Sequence, residues 1–164
     1  MNKAVFLDRD GIINIDKGYV FRREEFVFQE GIVPVLTYFQ KRGYLLIIVT
    51  NQSGIARGYF TLYDLEEIHR YMLISLKEKG IFIQHIYCCT SCDSQNYDRK
   101  PNPGMLIKAR EQYCIAMEKS IMIGDKESDI LAAKRAGVGY KILYGQGNAD
   151  CCVNSLRHIM ELQL

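Results

Sequence analysis

Short apolar runs punctuate the chain, and longer amphipathic stretches separate them. Residues 4–7, 44–49, 82–88, 121–123 and 140–143 are short and mostly rich in β-branched or aromatic side chains, which predicts five strands. Between them the apolar positions recur at helical spacing. Ile32, Val35, Leu36 and Phe39 share one face, Gly43 stops that helix, and Pro34 fits only its first turn. Thr61 is placed to cap a helix with Leu65, Ile68, Met72 and Leu76 on one stripe, ended by Gly80. Asn102-Pro103 reads as N-cap and first position of a third helix through Met105, Leu106, Ala109 and Tyr113. Residues 128–136 form a short fourth helix closed by Gly137, and residues 154–162 a last one packing Leu156, Ile159 and Met160.

Strands alternating with helices predict an α/β fold: three layers, doubly wound, with a mainly parallel sheet covered on both faces. The length of 164 residues suits a single domain over 1–164. Ligands of such sheets bind at the carboxyl ends of the strands, so the residues following each strand become the candidates. Strand one runs into Asp8-Arg9-Asp10-Gly11, and strand two into Thr50-Asn51-Gln52-Ser53-Gly54. Arg99-Lys100-Pro101 stands between the third strand and the third helix, and strand four ends in Gly124-Asp125-Lys126-Glu127-Ser128-Asp129.

Each of these pieces alone is ordinary turn, cap or surface chemistry. Together, at successive strand ends, they converge on one crevice. Like charges about 4 Å apart repel by roughly 4 kcal/mol at an effective dielectric of 20, so Asp8, Asp10 and Asp125 need a countercharge. An oxygen-only set of carboxylates suits a hard cation, with Mg²⁺ the usual occupant where phosphate must also bind. The remaining lysine, threonine hydroxyl, glycines and backbone N–H groups fit a phosphoryl group.

Composition narrows the alternatives. The chain is 48% apolar and 24% charged, and 21 basic against 19 acidic side chains leave +2, which argues against nucleic acid or a membrane surface as partner. No apolar run approaches the roughly 18 residues of a membrane span, and the N-terminal apolar stretch is too short for a secretory signal. Six cysteines spread over this length predict a reducing cytoplasm better than a disulfide scaffold. A receiver domain would also cluster aspartates on a doubly wound sheet. It would need its phospho-accepting aspartate at the end of a later central strand, where this chain has Thr50 and Cys88-Cys89.

These residues resemble the haloacid dehalogenase superfamily of phosphohydrolases. Asp8-x-Asp10 matches its first motif, Thr50 its second, Lys100 its third, and Gly124-Asp125 with Asp129 its fourth, over about residues 3–143. The stretches FLDRDG, DKGYV, TNQSGIARGYFT, RKPNPGM and IGDKESD are similar to the D-glycero-D-manno-heptose 1,7-bisphosphate phosphatase branch, with histidinol-phosphate phosphatases the nearest alternative. The resemblance implies a Mg²⁺-dependent phosphomonoesterase that removes the C7 phosphate of a sugar bisphosphate used for surface-polysaccharide precursors. Asp8 would be the nucleophile and Asp10 the general acid and base. Mg²⁺ would sit on Asp8, Asp125 and the backbone carbonyl of Asp10, while Thr50 and Lys100 would stabilise the transferring phosphoryl group. Arg9, Asp16, Lys17, Gly18, Tyr19, Asn51, Gln52, Ser53, Arg99 and Lys126 would contact substrate, and Asp129 would orient a neighbour or a metal-bound water.

No insertion long enough for a large cap domain follows Asp10 or Thr50, so loops must supply the substrate contacts. Ile12 stands where these enzymes often carry Thr. Their zinc loop, a Cys-x-His and a later Cys-x-Cys, has only Cys89 left in place; Cys89-x-x-Cys92 lacks a second pair, and no structural zinc is expected. The three histidines, His69, His85 and His158, are read as structural and remote from the crevice. The whole predicts a cytoplasmic enzyme, monomeric, acting on a small molecule.

Overall fold

The structure, a computed structural model, describes residues 1–164. It contains a six-stranded sheet, ordered β3-β2-β1-β4-β5-β6, in which every pairing is parallel. The strands are β1 (Ala4–Leu7), β2 (Leu45–Asn51), β3 (His85–Cys89), β4 (Ile121–Gly124), β5 (Tyr140–Tyr144) and β6 (Cys151–Val153). Four α-helices cover it: α1 (Ile32–Lys41), α2 (Leu62–Glu78), α3 (Gly104–Tyr113) and α4 (Glu127–Arg135).

Alternation along the strands separates two cores. Val5, Leu7, Leu46, Ile48, Ile121 and Ile123 point to one face and pack with α1 and α2 through Ile32, Leu36, Phe39, Ile68 and Met72. Ala4, Phe6, Ile47, Val49 and Met122 point to the other and meet Met105, Leu106 and Ala109 of α3 and Ala132 and Ala133 of α4. Strands buried on both faces read as continuous apolar runs, which is why β1 (AVFL) carries no polar position. No helix is long and apolar enough to cross a membrane.

Four details depart from the sequence reading. The sixth strand was not anticipated: it is three residues long, flanked by polar loop, and forms because the backbone of 151–153 reaches the open edge of β5. β3 begins at His85, so 82–84 lie outside the strand. Helix α3 starts one residue later than Asn102-Pro103 implied, with Pro103 itself as N-cap. The last segment is a 3₁₀ helix, Leu156–Glu161, which still buries Leu156 and Ile159 under α1. The cap of α2 is as expected: Thr61 Oγ1 accepts from the Asp64 N–H at 3.1 Å while Asp64 accepts from the Thr61 N–H at 2.7 Å.

Strand order decides where the site lies. The chain runs outward from β1 through β2 to β3, then crosses back to β4 on the other side of β1. The crevice opens where the two directions part, above the carboxyl ends of β1, β2 and β4.

Candidate active site

Above those ends lies a cavity of about 380 Å³. Asp8 and Asp10 reach it from β1, Asn51, Gln52 and Ser53 from β2, and Lys126 and Asp129 from the start of α4. Arg99 and Lys100 enter from the loop before α3, and Asp16, Gly18 and Tyr19 from the loop after β1. A single side chain in that lining is hydrophobic.

At the floor stands a buried triad of charges. Lys100 Nζ donates to Asp8 Oδ1 at 2.9 Å, to Asp129 Oδ1 at 2.6 Å and to the Val49 carbonyl at 2.7 Å, and all three ionic side chains are almost inaccessible. Burial lowers a lysine, but the two carboxylates outweigh it and hold Lys100 above the usual lysine range. Asp8 moves the other way: burial and then the Asp129 charge push it up to about 7, against the pull of Lys100. Asp125 is also raised, first by burial, with Lys126 opposing and Asp129 adding. The site therefore carries more negative charge than its one buried lysine neutralises.

That surplus, with the free oxygens, tests the fit of a cation. Carboxylate oxygens of Asp8, Asp125 and Asp129 lie within 4.8 Å of one another. Both oxygens of Asp129 are committed, Oδ1 to Lys100 and Oδ2 to the Lys126 N–H at 3.1 Å, where it caps α4. Asp8 Oδ1 is also engaged, by Lys100 and by the Arg9 N–H at 2.8 Å. Asp125 Oδ1 is different: it is buried with no partner at all. A buried carboxylate oxygen without a donor, beside a raised carboxyl, is where a hard divalent ion fits. Gly11 keeps that space open. It has φ +93°, and a Cβ built there would overlap the Asp125 carboxylate.

Asp10 has a separate set of partners. Oδ1 accepts from Arg9 Nη2 at 2.9 Å and Asn14 Nδ2 at 3.0 Å, and Oδ2 accepts from Gln52 Nε2 at 2.7 Å. Burial alone would raise it, yet the Arg9 charge and these donors keep it below the usual carboxylate range. Two aspartates two residues apart thus sit in opposite environments, Asp8 raised by burial and the Asp129 charge and Asp10 lowered by the Arg9 charge and its donors.

Several expected contacts come out otherwise. Arg9, expected at the substrate, is wholly buried and outside the cavity lining, bound to Asp10 and to the Val20 carbonyl at 2.7 Å. Lys17 is exposed and outside the lining. Thr50 is fully buried, with its hydroxyl accepting from Gln52 Nε2 at 2.9 Å. The Asn51 amide pins the Lys100 backbone with two 3.0 Å hydrogen bonds, and Gln52 is spent on Asp10 and Thr50. Asp16 and Lys126 reach across the mouth to each other at 3.4 Å. His69 is not remote either: its Nε2 is 3.2 Å from Arg9 Nη1. Sequence reading missed His69, Asn14 and Ser128. Only Ser128, inside the Gly124–Asp129 motif, carried a local signal. Around the cysteine loop, the buried Cys89 thiol donates to Asn96 Oδ1 at 3.7 Å, Cys92 is exposed, and burial pushes Cys88 up to about 12.

A doubly wound parallel sheet, an Asp-x-Asp directly after its first strand and a buried lysine between aspartates define a haloacid dehalogenase-like phosphatase without a large cap. Residues 97–152 match the HAD-hydrolase-like family model. The chain is 50% identical over 144 residues to a D-glycero-beta-D-manno-heptose-1,7-bisphosphate 7-phosphatase of Helicobacter pylori, covering 87% of this chain and 83% of the relative. It is 46% identical over 144 residues to a D-glycero-alpha-D-manno-heptose-1,7-bisphosphate 7-phosphatase of Campylobacter jejuni, covering 88% and 83%. A crystal structure of the D,D-heptose 1,7-bisphosphate phosphatase of B. bronchiseptica, complexed with magnesium and phosphate, superposes with a TM-score of 0.87 at 27% identity, covering 97% of this chain and 96% of that one. The chain belongs to the D-glycero-D-manno-heptose-1,7-bisphosphate 7-phosphatase family.

Proposed function

We propose that the chain removes the C7 phosphate of D-glycero-D-manno-heptose 1,7-bisphosphate through an aspartyl-phosphate on Asp8. The observation that carries this reading is the split environment of the two aspartates. Asp8 lies on the cavity floor against Lys100, and Asp10 beside it sits in its own cage of donors.

Asp8 attacks phosphorus, the bond from phosphorus to the sugar oxygen breaks, and Asp10 gives that oxygen a proton. An incoming phosphate dianion opposes the negative charge of Asp10 and raises its proton affinity, which suits it to arrive at this step protonated. Asp10 then takes a proton from the water that opens the aspartyl phosphate, releasing inorganic phosphate and restoring Asp8. Lys100 steadies the charge on the phosphoryl oxygens throughout. The Thr50 hydroxyl, which donates to no protein acceptor, offers its proton to the same oxygens. Asp8, Asp125 and the Asp10 carbonyl would hold Mg²⁺, which supplies charge neutralisation for the phosphoryl group and for the crowded carboxylates. Arg99 and Lys126, cationic and on the cavity wall, suit the second phosphate of a bisphosphate.

The reading includes one catalytic domain over residues 1–164, a monomer in the cytoplasm, and no structural zinc, which elemental analysis of purified protein checks. The test is phosphate release over the alpha and beta anomers of the heptose bisphosphate, heptose 1-phosphate, histidinol phosphate and simple hexose phosphates, with and without Mg²⁺. Highest kcat/KM on a heptose bisphosphate, at one equivalent of phosphate released, is expected. Preference for histidinol phosphate would replace the substrate assignment.

A further inference from the structure

Arg9 is the largest side chain with no exposure, and it is held by three groups of different kinds. Nη2 donates to Asp10 Oδ1 and to the Val20 carbonyl, Nη1 faces His69 Nε2 at 3.2 Å, and Nε has no partner. A guanidinium can only donate. Nε2 of His69 must therefore be an unprotonated acceptor, with the ring neutral and its proton on Nδ1. Burial of the imidazole and the adjacent Arg9 charge favour that same form.

The contacts form one chain of command. His69 is on α2, which contributes no group to the cavity lining. It grips Arg9, and Arg9 in turn grips Asp10 and, through Val20, the 16–20 segment whose Gly18 and Tyr19 line the cavity. We infer that His69 is a positioning residue, which acts through Arg9 to fix the orientation of the Asp10 carboxylate toward the leaving oxygen. This rests on the reading of Asp10 as general acid. Without the imidazole, Arg9 keeps its bonds to Asp10 and Val20 but has one free end and a second unpaired N–H edge, and Asp10 loses its fixed aim.

The readout is the dependence on leaving group. An alkyl oxygen must be protonated as it departs, whereas p-nitrophenolate leaves unaided, so a misaimed acid harms one substrate and spares the other. We compare kcat/KM for heptose 1,7-bisphosphate and p-nitrophenyl phosphate, since that ratio reports the steps up to departure of the alcohol. His69→Leu and His69→Phe both remove the acceptor at different side-chain volumes, so one folded variant suffices. Each is expected to lose about tenfold more on the sugar phosphate than on the aryl phosphate, a fraction of what general acids contribute. His69→Gln, whose amide oxygen can accept from Arg9, restores most of the loss. Met72→Ala, elsewhere on α2, lowers the melting temperature and leaves the substrate ratio unchanged. Equal loss on both substrates in the His69 variants, or no loss, overturns the inference. Asp10→Asn serves as reference: selective loss there without selectivity in the His69 variants rejects His69 alone. No selectivity in Asp10→Asn rejects the acid assignment and the inference with it.

Discussion

The neutral form of His69 can be read directly from folding thermodynamics. Its folded pKa is pushed down to about 3, by burial first and the Arg9 charge second, against an ordinary value of 6.5. The sign follows from proton binding. The folded pKa is depressed, so the unfolded chain takes up a proton at higher pH than the folded one, and stability is lost as pH falls below 6.5. Between pH 7 and 4.5 the loss from this one group is about 2.5 kcal/mol. Asp8 works in the opposite sense over much of the same window, because its folded value near 7 favours the folded state in acid. Bulk stability against pH is therefore uninformative, and a difference between variants isolates the histidine. The perturbation is His69→Gln in metal-free protein, with urea unfolding at several pH values from 7 to 4.5. The variant should gain on the native chain by about 2.5 kcal/mol across that range, as the contribution common to Asp8 cancels. A stability difference that stays flat with pH would refute the buried, accepting imidazole.

Three further outcomes follow from the same geometry. Lys100→Met leaves Asp8 and Asp129 buried without their cation, so turnover should vanish and urea unfolding should report a loss of about 3–5 kcal/mol. Gly54→Ala puts a methyl into the Phe60 ring and near Tyr19, so loop 16–20 must shift; KM for the sugar phosphate should rise several-fold in steady-state assays while the melting temperature falls. Chelation with EDTA should abolish phosphate release and Mg²⁺ should restore it, with a thermal-shift gain on Mg²⁺ addition that Asp125→Asn loses.

Much of this architecture was legible in the linear sequence. Apolar runs too short for helices, punctuated by Thr61, Gly80 and Gly137, fix strands and helices through local propensity and period. Asp8, Asp10, Lys100, Asp125 and Asp129 were visible because carboxylates just after two strands and a lysine before the third helix converge on one crevice. Residue type and position, however, do not specify direction. Arg9 sits between two aspartates that meet the cavity, yet tertiary packing turns it inward, where a fully buried guanidinium must find acceptors and takes Asp10, Val20 and His69. His69 itself, one polar residue near a helical stripe, lies 60 positions away from Arg9 along the chain, and no local pattern announces such a pair. The Asn51 and Gln52 amides were likewise identified as neighbours of the site, but only the folded backbone decides that they bind Lys100 and Asp10 rather than face open solvent. Strand β6 exists because an edge was available to pair with, a property of the sheet and not of Cys151-Cys152-Val153. Propensity and periodicity are local and survive in one dimension. The orientation of a polar side chain is set by which partners the fold brings within about 3 Å, and that information exists only in three.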